Sequence, residues 1–209
     1  MRDGIDSVIE TRRAALQPNE DGIIPRNQIR EMVNAILTAT KMNNRPIDAV
    51  KLAKKLGFAV LNSSLCHIDD GDVIGMMYAG DEAYEISPGI KEKRFIALEE
   101  NDSHARKRST IAHEIGHFAL EGGGFSKRSI TSDKNDSKEQ NASRFMYELL
   151  MPYDLLVAEL SRIRGMSWKK VLNEVSECLD ISFGILKRHI ETISERPVLE
   201  QNICPGRCI

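Results

Sequence analysis

Apolar residues recur at helical spacing over Gln28 to Thr40, where Ile29, Met32, Val33, Ile36 and Leu37 fall on one side. A second helix is expected from Pro46 to Leu56, with Gly57 as its stop. The period then shortens. Phe58 to Leu61, Val73 to Tyr78, Ala83 to Ser87 and Arg94 to Leu98 read as four strands, with Gly80-Asp81 as a turn. Helical spacing returns in Ser109 to Leu120 through Ile111, Ile115 and Phe118, and in Lys138 to Met151 through Ala142, Phe145, Met146, Leu149 and Leu150. Pro152 marks the stop of the latter. Between them, Gly122 to Gly124 and the polar stretch Ser126 to Ser137 read as a long connecting loop, a rim beside any cleft. Beyond, Ser167 to Leu179 and Phe183 to Ile193 have a helix, turn, helix layout around Leu172, Val175, Leu179, Ile185, Leu186 and Ile190.

This order predicts an α+β fold: a small, largely antiparallel sheet packed on helices, with a helical C-terminal part. The expected organisation is an N-terminal extension over 1–26, a main domain over 27–155, a helical region over 156–196 and a tail over 197–209. At 209 residues, with 41% hydrophobic and 29% charged, the chain is long enough to bury a core of its own. It contains no apolar run long enough for a membrane span, and Met1 to Gln17 lacks a signal-peptide core, so a cytoplasmic protein is expected.

A net charge of −2 argues against a strongly basic nucleic-acid surface, and two packed C-terminal helices need no DNA; Lys187 and Arg188 are too few to change that. Cys66, Cys178, Cys204 and Cys208 form no repeated metal-binding pair, so no disulfide framework or zinc finger is expected. Cys204 and Cys208 sit in the tail, where a frayed end is the simplest reading. His104, His67 and His189 read as surface or core histidines.

The chemistry is concentrated in His113-Glu114-Ile115-Gly116-His117. Residues four apart on a helix share a face, so both imidazoles can grip one ion. Glu114, about 100° round from His113, is placed to act as general base toward the attacking water of a peptide hydrolysis. The bare pentapeptide falls by chance in roughly one chain in a hundred of this size, so context has to decide. Ile111, Ile115 and Phe118 bury the helix beside the histidines, and a mid-helix Gly116, costing about 1 kcal/mol against alanine, predicts close packing on a neighbouring strand.

A catalytic zinc site needs a third protein ligand and an open position. Glu139 supplies a carboxylate on the next helix. Asp136-x-x-Glu139 also matches a capping box, in which the glutamate only closes the first turn. With the two histidines upstream, the ligand role is the one expected. Glu148 lies nine residues on and points to the opposite side.

With these residues in view the chain resembles the ImmA/IrrE family of zinc metallopeptidases. The likeness runs through Arg45 to Gly57, Gly75-Met76-Met77, the basic approach Arg106-Lys107-Arg108, Ala112 to His117, and Glu139 to Pro152. It implies a zincin-like domain in which an edge strand flanks the cleft. It also implies Zn²⁺ held by His113, His117 and Glu139, with Glu114 as base. Ser143 stands where the family has Asn or Asp, and Ser109 where it has Phe; a serine hydrogen-bonds a ligand histidine more weakly than a carboxylate does.

The resemblance implies an endopeptidase that cuts a helix-turn-helix transcriptional repressor and so relieves repression. The alternative is a non-catalytic, zinc-containing partner of an Xre-type regulator, an interaction protein or toxin-like component. Tyr147 and Tyr153 are candidates for stabilising the oxyanion, although a buried tyrosine on such a helix is more often there for core packing.

Overall fold

The structure, a computed structural model, describes residues 2–43, 45–65, 73–129, 136–162 and 167–192. Cys66, His67, Cys204 and Cys208 lie outside them, as does the tail, whereas Cys178 is a free, exposed thiol. The chain divides into two compact units, Met1–Leu149 and Leu150–Ile209.

The first unit contains helices α1 (Arg2–Ala14), α2 (Arg26–Thr40) and α3 (Ala49–Lys55), then strands β1 (Ala59–Ser63), β2 (Val73–Ser87) and β3 (Ile90–Glu99). Helix α4 (His104–Glu121), strand β4 (Gly124–Ser129) and helix α5 (Ser137–Leu150) follow. The strands form one sheet in the order β1-β3-β2-β4. β1 runs parallel to β3; β2 is antiparallel to both β3 and β4, so the sheet is largely antiparallel and the α+β expectation holds.

Three local readings are corrected. Gly80-Asp81 is no turn: β2 continues through it, with the pairing to β3 slipping between Ala79 and Tyr84. The Tyr78 ring folds over Gly80, where a Cβ would overlap it, and the Tyr78 hydroxyl donates to the Glu82 carbonyl at 2.9 Å. The hairpin turn falls instead at Gly89, whose φ of +80° suits a residue without a Cβ. Second, the glycine-rich loop before Ser126 gives rise to a strand, β4, paired through Met77 with Ser126. Third, the helix after Pro46 begins only at Ala49, where the Asp48 side chain accepts from the Lys51 amide.

The N-terminal segment, read from sequence as an extension, forms α1. Ile5 and Ile9 are buried, and Asp6 grips Arg94 of β3 by two hydrogen bonds of 2.9 Å. Arg13 donates to the Phe118 and Ala119 carbonyls at 2.8 and 3.1 Å. Those carbonyls belong to the last turn of α4, where Phe118 also accepts from the Gly122 amide at 3.1 Å.

Helix α4 is the centre of this unit, packed against α1, α3 and strands β2, β3 and β4. Every residue from Arg108 to Leu120 is buried. Ser103 caps its start by accepting from the Arg106 amide, and Gly122 ends it at φ +103°. A helix enclosed all round would ordinarily be apolar; this one carries Thr110, His113, Glu114 and His117 inside, which marks it as functional.

The second unit contains α6 (Tyr153–Arg162), α7 (Trp168–Cys178) and α8 (Phe183–Thr192). Leu172, Val175, Leu179, Ile185, Leu186 and Ile190 are all buried, and Asp180 turns the chain at φ +51°. His189 is buried, while His104 of the first unit is exposed. No helix among the described residues is long and apolar enough to cross a membrane.

Candidate metal centre

His113 and His117 sit one turn apart on the buried length of α4, with ring centroids 4.8 Å apart and planes at 74°. Their Nε2 atoms are 3.1 Å from each other. Glu139, in the first turn of α5, places Oε2 at 3.2 Å from Nε2 of His113 and Oε1 at 3.1 Å from Nε2 of His117. Donors about 2.0 to 2.1 Å from a tetrahedral ion lie about 3.3 Å from one another. The three side chains therefore have the spacing and donor chemistry of one face of a zinc-like site. They form the group of His, Cys, Asp or Glu residues that could hold a metal ion among the described residues.

Close approach of α4 and α5 makes this meeting possible. A Cβ on Gly116 would lie 3.0 Å from the Ala142 carbonyl oxygen and 3.1 Å from Phe145 Cβ. The glycine thus packs on α5, not on a strand as its position in the sequence suggested. Ala142 is one turn after Glu139, so the bare contact brings the carboxylate within reach. At the start of α5, Asp136 accepts from the Lys138 amide at 2.8 Å. Asn141 then pins the chain before α2, accepting from the Ile24 amide at 3.0 Å and donating to the Gly22 carbonyl at 2.9 Å. Glu148, on the far side of α5, pairs with Arg30 at 2.8 Å.

The outer ring nitrogens are held unequally. Nδ1 of His117 is 2.8 Å from Oε1 of Glu121, whereas Nδ1 of His113 is 3.5 Å from the Ser143 hydroxyl, the outer limit of a hydrogen bond. Glu114 is fully buried. Its Oε2 accepts a 2.6 Å hydrogen bond from the Ser126 hydroxyl on β4, and its Oε1 lies over Gly75 of β2. A side chain at Gly75 would also overlap the Thr110 methyl, so this glycine lets the helix settle onto the sheet.

Electrostatics follow from this crowding. Burial disfavours a charged His117, but its hydrogen bonds to Glu121 and Glu139 and the charge of Glu114 outweigh that and push it up to about 10. Burial likewise opposes ionisation of Glu139, yet its hydrogen bonds to both histidines hold it well below the usual carboxylate range. Without metal, the three groups form a charge-paired cluster in which protons stand where an ion would.

Sequence reasoning named His113, Glu114, His117, Glu139 and Ser143; all five lie together. It missed Glu121, Ser126 and Gly75. Glu121 was findable, four residues beyond His117 on the same helix ridge. Gly75 was quoted only within the family likeness, and Ser126 comes from sheet pairing and left no local signal.

Over residues 74–190, more than half of the chain, the sequence matches a peptidase family described as the IrrE N-terminal-like domain. No curated protein matches it.

Proposed function

Because the chain belongs to the IrrE N-terminal-like peptidase family, we propose that it is a zinc-dependent endopeptidase whose substrate is a helix-turn-helix transcriptional repressor. One observation carries the catalytic part. Three donors from two helices converge with metal-ligand spacing, and a fully buried carboxylate stands beside them on the same helix.

Zinc held by His113, His117 and Glu139 would polarise the scissile carbonyl and acidify the attacking water. Glu114 takes the proton from that water and passes it to the leaving amine nitrogen. Ser126 holds the carboxylate in place through Oε2. The choice of a repressor as substrate rests on the family resemblance, and duplex DNA is not proposed as a partner.

Glu114→Gln preserves shape and metal but removes the base. Zinc-loaded wild-type protein is expected to cut sites in a proteome-derived peptide library and in a purified helix-turn-helix repressor, read by mass spectrometry. The variant should lose cleavage by at least about 100-fold, the usual weight of general acid-base catalysis. Equal cleavage by both proteins would sink the mechanism. Zinc binding with no cleavage by either would favour the non-catalytic partner, a reading supported by the long Ser143 to His113 contact.

A further inference from the structure

We infer that Glu121 is the positioning residue of the metal centre: it orients His117 and sets how tightly the ion is held. The inference rests on the metal-site reading above. His113, His117 and Glu121 form one ridge of α4 at successive four-residue steps, each drifting about 40° round the axis. Glu121 closes the row from the C-terminal end, with Oε1 2.8 Å from Nδ1 of His117.

A carboxylate only accepts hydrogen bonds, so Nδ1 of His117 carries the proton. Its Nε2, 3.1 Å from both Nε2 of His113 and Oε1 of Glu139, is the atom that would turn its lone pair to the ion once the proton there is displaced. Carboxylate support of this kind fixes the ring and makes it a better donor. The other oxygen of Glu121 lies 3.9 Å from Nζ of Lys138, on the first turn of α5, so the same side chain spans toward the helix that brings Glu139. On His113 the corresponding support is a hydroxyl 3.5 Å away. His117 thus has a short carboxylate contact at its outer nitrogen.

The test uses the full chain and Zn²⁺ alone, with affinity read by competition against a chromophoric chelator. Glu121→Ala should weaken zinc binding by about 10 to 100-fold, the usual consequence of losing such support. Glu121→Gln keeps an acceptor for Nδ1 and should recover most of that loss, whereas Ser143→Ala should change affinity by no more than about threefold, given a contact at the limit of hydrogen bonding. Circular dichroism of the metal-free variants monitors the fold, which none of the three should alter. Wild-type affinity in Glu121→Ala, or a larger loss in Ser143→Ala than in Glu121→Ala, would overturn the inference while leaving the metal site intact. Failure of the wild-type protein to bind zinc, or undiminished binding in Glu139→Ala, would instead remove the reading on which it rests.

Discussion

The base and its hydroxyl neighbour illustrate what single residues contribute. A hydrogen bond to a charged group contributes about 1.5–3 kcal/mol, so Ser126→Ala should slow peptide cleavage by about tenfold or more while zinc stoichiometry, measured by elemental analysis, stays unchanged. Protonation gives a second expectation. His117 lies above the ordinary histidine value of about 6.5, so its stabilising contribution in the metal-free protein is complete below that value and disappears as pH rises toward about 10. At neutral pH it is therefore protonated, and an ion can displace that proton only by taking its place. Zinc binding at pH 7 should release about one proton, seen as a heat of binding that changes between buffers of different ionisation enthalpy. At this scale the sequence was informative wherever function follows helical spacing. His113, Glu114 and His117 announce each other. Ser126 depends on which residue of β4 faces Met77, and nothing within a few positions of it encodes that register.

Elements were legible in proportion to their periodicity. Helix α2 buries the five residues its pattern selects, Ile29, Met32, Val33, Ile36 and Leu37. Strand β4 is short, polar, glycine-led and at the sheet edge, so it lacks the alternation that would reveal it. Helix α1 was hidden because its burial rests on little more than Ile5 and Ile9, its remaining anchorage being polar, through Asp6 on Arg94 and Arg13 on the end of α4. The contact between α4 and α5 makes a sharp prediction. Gly116→Val gains part of the roughly 1 kcal/mol of helix propensity that glycine forgoes, but overpacking against the Ala142 backbone costs about 1–3 kcal/mol. The steric term wins. Urea denaturation should show a less stable metal-free protein, and chelator competition a weaker zinc site, because the helices must part to admit the side chain.

For the molecule as a whole, the α+β class and the family were both readable from the order of periods and motifs, whereas the Arg13 cap on α4 and the Asn141 tether on the chain before α2 were not. Both join residues more than a hundred positions apart, and such pairings leave no trace in local composition. The proposed metal would add to these long-range ties. Free zinc at about 100 times its dissociation constant should stabilise the folded protein by about 2.7 kcal/mol. Hydrogen exchange should place the gained protection in α4 and the first turns of α5, and a chelator should reverse it.

The position of Glu139 has one more consequence. A long polar stretch separates it from His117, with α4 buried on one side and the start of α5 held on the other. An ion gripping both would act as a removable rivet between α4 and α5. Filling the proposed site would then make the protein harder for an added protease to cut, and a chelator should undo that protection.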